Sequence, residues 1–142
     1  MKLDTEAGKR RFVAEAAAIE IYNRGKEAPF RITVRAQGAA IVLEVGLRPT
    51  RNLYKVRATL GDSYPARPPD VQVLEPADLP RGVPHLLGGG RPCLFNHHPH
   101  YGEERWDPAR HTAVFALLAT WRWCLGLDFW AGTGRWIADE NR

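Results

Sequence analysis

Apolar positions change their period along this chain, and the changes mark out its elements. From Thr5 to Tyr22 the residues Phe12, Ala16, Ile19 and Tyr22 recur at three- and four-residue steps in an Ala-rich run, the pattern of an amphipathic helix. Thr5 or Asp4 fits its N-cap, and Asn23 with Gly25 ends it. The period then falls to two. Phe30-Arg-Ile-Thr-Val-Arg alternates and predicts a half-buried strand. Ala40-Ile-Val-Leu-Glu-Val-Gly-Leu is more continuously apolar and predicts a more buried one, with Gln37-Gly38 as the turn between them. Asn52 to Leu60 alternates again, Leu53, Lys55, Arg57 and Thr59 on one side, Tyr54, Val56, Ala58 and Leu60 on the other. Arg48-Pro-Thr-Arg51 makes the connection. Turns this short predict an antiparallel meander.

Tyr64-Pro-Ala-Arg-Pro-Pro69 interrupts the pattern. Proline has no amide to donate and pushes the preceding residue towards extended geometry, so this segment cannot be a central strand. Val71-Gln-Val-Leu74 predicts a fourth, short strand, ended by Glu75-Pro76. From His85 to His100 neither period holds. A helix is then predicted with Asp107 as N-cap and Pro108 in its first turn. It spans Ala109 to Leu127, with Val114, Phe115, Leu117, Leu118, Trp121 and Leu125 as the main core residues. The aromatic, Gly-broken tail from Phe129 to Ile137 predicts a short helix and a loop. The order gives an α+β fold, an N-terminal helix and a core helix on one face of a four-stranded antiparallel sheet, with residues 1–142 as a single domain.

Composition adds exclusions. A net charge of +4 and a pI near 9.4 are mildly basic, but the charges are scattered and form no Lys/Arg stripe interleaved with aromatics, so no nucleic-acid partner is expected. No apolar run approaches the roughly 20 residues of a membrane span, and the start of the chain does not read as a signal peptide. Two cysteines are no disulfide framework; the expectation is a cytoplasmic protein with both thiols reduced.

Chemistry concentrates in the stretch without a period, which is rich in Gly, Pro and His and contains Cys93. Cys93 is the candidate nucleophile. Arg91, with His97 or His98, is expected to lower its pKa below the free value of roughly 8.5. Gly88-Gly89-Gly90 would let an extended peptide tail approach the backbone. Cys124, beside Trp123 and Leu125 in a helical run, reads as a buried packing thiol. A competing reading takes Cys93, His97, His98 and His100 as zinc ligands. Adjacent histidines fit one tetrahedral ion poorly, so no metal is expected.

Taken in order, Tyr64-Pro65-Ala66-Arg67-Pro68-Pro69, His85, Cys93-Leu94 and Trp106-Asp107-Pro108 resemble the ubiquitin-conjugating enzyme family, from about Thr5 to Leu127. The sequence departs from the family where Leu-Leu follows His85 in place of Pro-Asn, and in the longer interval from Cys93 to Trp106. The run Trp121-x-x-Cys-Leu-x-x-x-Phe-Trp130-x-x-Thr-Gly134-x-Trp136 resembles the bacterial, CBASS-like branch found in antiphage operons.

The resemblance implies acyl transfer through a cysteine thioester. The donor would be the C-terminal glycine of a protein partner, a cyclic-nucleotide synthase or a ubiquitin-like protein, and the acceptor an amine. It implies a structural His85 that holds the loop. Asn96, a histidine or loop amides would take over oxyanion stabilisation from the missing asparagine, and His98, His100 or Asp107 would take the proton of the incoming amine. No cofactor is expected. The chain has no nucleotide-binding glycine fingerprint, so a separate activating enzyme would supply the activated donor if one is needed. The alternative is a non-catalytic binding module of the same fold. A cysteine hydrolase is a weaker option, since no base-orienting Asp is evident.

Overall fold

The computed structural model describes residues 1–95 and 105–136. Its first element is the helix α1 (Glu6–Asn23), followed by the strands β1 (Thr33–Gln37), β2 (Ala40–Leu47), β3 (Tyr54–Leu60) and β4 (Asp70–Glu75). The four strands are antiparallel neighbours in chain order. Two-residue strands β5 (Leu86–Leu87) and β6 (Arg91–Pro92) form a hairpin, and the long helix α2 (Ala113–Thr133) follows. This is the predicted α+β architecture.

The sheet's inner face is built from the expected alternation. In β3, Tyr54, Val56, Ala58 and Leu60 are buried, and opposite them in register lie Leu47, Val45, Leu43 and Ile41 of β2. Val73 and Val71 of β4 continue the same rows, opposite Val56 and Ala58. Burying each large aliphatic side chain of this face contributes about 1.5–3 kcal/mol. The meander's register is therefore fixed, because a one-residue slip would turn all of these side chains outward.

β1 departs from the half-buried strand read between Phe30 and Arg35. It begins at Thr33, and all five of its residues are exposed. The chain before it is drawn aside: Gly46 of β2 donates its amide to the Pro29 carbonyl at 2.8 Å. A Cβ on Gly46 would stand 2.9 Å from that oxygen, so only glycine permits the approach. Asn23, at the end of α1, pins the next step. Its side chain accepts from the Ile32 amide at 2.7 Å and donates to the Ile32 carbonyl at 3.0 Å.

α1 starts at the expected cap, with the Thr5 hydroxyl accepting from the Gly8 amide at 3.0 Å. The predicted apolar stripe is only partly its buried side. Ile19 and Tyr22 are half-buried, but Ala16 is exposed and Phe12 is 40% exposed, whereas Glu15 is 2% exposed. Two polar anchors, Glu15 and Asn23, are turned inward because each satisfies backbone groups of another segment, and apolar spacing cannot report that. Between α1 and the sheet this leaves a groove of about 470 Å³ lined by Phe12, Ala16, Ile19, Val34, Ile41 and Leu43.

α2 differs from its reading at both ends. It begins at Ala113, not Ala109, because residues 108–110 form a turn. Asp107 caps that turn, its side chain accepting from the Ala109 amide and its carbonyl from the His111 amide at 2.8 Å. The helix also continues through Phe129 and Trp130 to Thr133, where Gly134, at φ 75°, ends it in the left-handed conformation that glycine adopts without strain. Its buried stripe is Ala113, Ala116, Leu117, Thr120, Trp123, Cys124 and Leu127, while Leu118 and Trp121 point outward at 47% and 38% exposure. The seam mixes small residues, Ala113, Ala116 and Thr120, with large apolar ones, so apolar size alone does not mark it. Near its end, Asp128 accepts hydrogen bonds from Asn52 Nδ2 at 3.0 Å and from the hydroxyls of Thr50 and Tyr54. This ties α2 to the β2–β3 connection.

Candidate active site

Cys93 is held at the open end of the β5–β6 hairpin. Leu86 pairs with Pro92 and Leu87 with Arg91, and the Cys93 amide adds a further rung by donating to the His85 carbonyl at 2.7 Å. Gly88-Gly89-Gly90 makes the turn, with Gly89 and Gly90 both at φ 72°, a region that favours glycine. The stretch expected to be an irregular loop is thus partly a hairpin, a feature that its Leu-Leu-Gly-Gly-Gly-Arg-Pro pattern is compatible with but too short to announce.

The hairpin is fastened to β4. The Val73 amide donates to the Gly90 carbonyl at 2.8 Å and Gln72 Nε2 to the Gly89 carbonyl at 2.7 Å. A Cβ on Gly90 would stand 2.9 Å from the Val73 carbonyl oxygen. Gly90 therefore serves contact with the chain's own sheet, while Gly88 has open space around its Cα. Arg91 is likewise occupied: its Nε and Nη2 lie 3.0 and 3.3 Å from the two carboxylate oxygens of Asp70. That pairing raises the Arg91 pKa and ties its guanidinium to β4.

His85 has the one non-glycine positive φ among the described residues, 56°. This region costs an L-residue roughly 1–2 kcal/mol. Its carbonyl accepts from both the Cys93 amide and Trp123 Nε1, the latter at 3.1 Å. Two hydrogen bonds at a net 0.5–1.5 kcal/mol each, roughly, are enough to offset that cost. The His85 ring lies 5.3 Å from that of Trp136, which in turn is 6.0 Å from Trp123. Apolar spacing does not mark Trp123 or Trp136 as supports of the site; the run of indoles and glycines from Trp121 to Trp136 is the available signal.

Beyond Cys93, aromatic rings close the base of the next segment. Phe95 lies 5.4 Å from Trp106 and 6.0 Å from Phe115. Trp106 Nε1 donates to the Pro65 carbonyl at 2.7 Å, so the Trp-Asp-Pro and Tyr-Pro-x-x-Pro-Pro segments meet directly. His111 stacks on Phe115 at 3.6 Å and accepts the Asp107 amide on Nδ1 at 3.0 Å. Asp107 thus has capping partners of its own within the turn.

The two cysteines differ sharply. Cys93 is half-buried, and Cys124 is 0% exposed. Burial first, and the nearby Asp128 second, push the Cys124 thiol well above its ordinary pKa, the state of an inert packing thiol. Asn96, His97, His98 and His100 lie outside the described residues. Among the described residues no three His, Cys, Asp or Glu side chains form a metal-binding group, and no helix is long and apolar enough to cross a membrane.

A helix, a four-stranded meander, a cysteine presented beside its last strand and a core helix across the inner face together define a ubiquitin-conjugating-like fold. The chain belongs to the Type II CBASS E2 protein family, whose model matches residues 22–142. Most of α1 precedes the match. No curated protein matches the chain in a sequence comparison. Family membership implies an E2-like conjugation role in antiphage defence, together with other CBASS components.

Proposed function

We propose that Cys93 accepts an acyl group from the C-terminal glycine of a protein partner and passes it to an amine. The partner is a cyclic-nucleotide synthase or a ubiquitin-like protein. The Cys93 thiolate attacks the carbonyl of the activated C-terminal glycine, a thioester or adenylate. The new carbon–sulfur bond forms as the old carbon–sulfur or carbon–oxygen bond breaks, releasing the donor's thiolate or AMP. An amine then attacks the new thioester, an amide forms, the amine's proton passes to a base and Cys93 is released as thiolate. Asn96 is assigned to the oxyanion and His98 to the proton, on their chemistry and their positions shortly after Cys93 in the sequence. His85 is assigned to hold the nucleophile in place.

The observation that carries this reading is the Cys93 amide donating to the His85 carbonyl at 2.7 Å. It fixes a half-buried thiol at the end of a hairpin, while the chain's other thiol is sealed in α2. The test combines the chain, the partner and any activating enzyme, and looks by intact mass for a reductant-sensitive adduct. Wild type and Cys124→Ala should form it and Cys93→Ala should not. An adduct formed equally well by Cys93→Ala refutes the reading. No adduct at all, from a Cys93 thiol no more reactive than a free model thiol, would assign the chain to the alternative, a binding module of the same fold.

A further inference from the structure

We propose that Trp136 is a positioning residue for Cys93: its indole, seated over Gly126 of α2, braces the His85 ring, and the His85 carbonyl holds the Cys93 amide. The inference rests on the reading of Cys93 as nucleophile and names a part of the chain that sets its geometry.

Three observations converge on it. First, the chain turns back after α2. Gly134, at φ 75°, donates its amide to the Trp130 carbonyl at 2.7 Å, and two residues later Trp136 is only 6% exposed. Second, α2 is hollowed to receive the indole. A Cβ on Gly126 would lie 2.6 Å from Trp136 Cζ2 and 2.9 Å from two further ring carbons. A rigid ring cannot absorb such an overlap, so glycine at this position and tryptophan at 136 fit as a pair.

Third, the contacts close a circuit. Trp136 faces His85 at 5.3 Å and Trp123 at 6.0 Å, and Trp123 donates to the His85 carbonyl. The carbonyl that orients Cys93 is therefore held from below by Trp123, and its own side chain is held by Trp136. His85 needs such support, because an L-residue at φ 56° persists only where its surroundings over-determine it. Removing the indole leaves the His85 ring without that wall. The strained residue then loses one of its restraints, and the Cys93 amide bonded to its carbonyl shifts with it.

The test reads Cys93 itself. The full chain is alkylated with iodoacetamide across pH, with Cys93 followed by peptide mass, in wild type, Trp136→Ala, Trp136→Phe, His85→Gly and the His85→Gly/Trp136→Ala double variant. A cooperative melting transition establishes that each is folded. Trp136→Ala should change the Cys93 alkylation rate by about fivefold or more, the scale of coupling between residues in contact, and move the pH midpoint. Trp136→Phe retains a ring against His85 and should stay within about twofold of wild type. Glycine adopts positive φ without a brace, so adding Trp136→Ala to His85→Gly should change nothing further.

A folded Trp136→Ala with wild-type rate and midpoint overturns the proposal, as do additive effects in the double variant. Should Trp136→Ala not fold, Gly126→Ala, which displaces the indole, is read by the same criteria. Alkylation needs no partner. If these shifts occur and no adduct forms, positioning stands and the conjugation reading falls. If an adduct forms while alkylation is indifferent to Trp136, conjugation stands and positioning falls.

Discussion

Glu15 of α1 accepts a hydrogen bond from the amide of Ala113, the first residue of α2 and 98 positions later, at 2.8 Å. Thr112, at the N-cap, makes no side-chain capping bond, so the core helix is capped by a carboxylate from another element. Negative charge there also suits the helix dipole. The other Glu15 oxygen accepts from the Tyr64 hydroxyl at 2.5 Å and lies 2.9 Å from Arg11 Nε. Among the described residues Arg11 Nε has no hydrogen-bond partner, so that last contact is ionic and the guanidinium's bonds there come from its outer nitrogens, to Pro108, Tyr64 and His111.

Glu15→Ala should therefore destabilise the chain by about 2–4 kcal/mol, because it leaves a buried phenol and a helix amide without their acceptor and removes the counter-ion of Arg11. Glu15→Gln keeps an acceptor for Ala113 and should cost less, about 1–2 kcal/mol. Urea unfolding of both variants measures this. A loss below about 1 kcal/mol for Glu15→Ala would show that the cap is dispensable.

Asp128→Ala removes an acceptor shared by Thr50, Asn52 and Tyr54. Hydrogen bonds to a charged group contribute most, but this one is partly exposed, so a loss of about 2 kcal/mol is expected. Faster amide exchange should appear in the β2–β3 connection before the rest of the sheet. Uniform acceleration across the whole sheet would contradict a local tether.

The chain should lose stability at alkaline pH. Burial raises the pKa of Cys124, Tyr54 and Tyr64, with Asp128 adding to the first two and Glu15 raising and Arg11 lowering the third. For a group whose folded pKa is raised, stability is fully present below the unfolded value and is lost as pH climbs through the folded one. Melting temperature should therefore fall once pH passes the ordinary thiol range, and more steeply above the phenol value of 10.0. Each group contributes at most about 1.4 kcal/mol per pH unit. Cys124→Ala should delay the onset to the phenol range; an unchanged profile would remove Cys124 from the account.

The glycine triplet should divide by position. Gly90→Ala adds a Cβ against the Val73 carbonyl in a left-handed conformation and should cost about 1–3 kcal/mol. Gly88→Ala meets nothing within 4 Å and should stay within about 0.5 kcal/mol of wild type. Thermal melts separate the two, and equal losses would contradict the fit of Gly90 against β4.

Much of the frame is legible because period-two burial leaves an unambiguous trace. The faces of β3 and the order of the meander follow from apolar spacing alone. The misread parts share a cause: residues that serve as polar anchors or as small spacers carry no hydrophobic signal. Glu15 and Asn23 are buried by hydrogen bonding, Ala116 and Thr120 on the inner side of α2, and Gly126 under the Trp136 indole. Asp107-Pro108 has the chemistry of a helix start, but here it closes a turn and Glu15 caps the helix that follows. The pairing of Arg91 with Asp70 carries no sequence signal, because the two are 21 positions apart. Asn96 and His98 lie outside the described residues, and their roles are proposals from chemistry and position.

The contact of Phe95 with Trp106 bears on how such a chain can diverge. The two rings stand 5.4 Å apart, and the indole is hydrogen-bonded to Pro65, so the described residues on either side of positions 96–104 meet through their side chains. Cys93 is anchored upstream of that point, on the His85 side. Lengthening the intervening segment costs little, about 0.6 kcal/mol per doubling, and puts no strain on the bond between the Cys93 amide and the His85 carbonyl. A change of length there therefore leaves the pairing of Cys93 with His85 untouched, because two aromatic side chains stand between the one and the other.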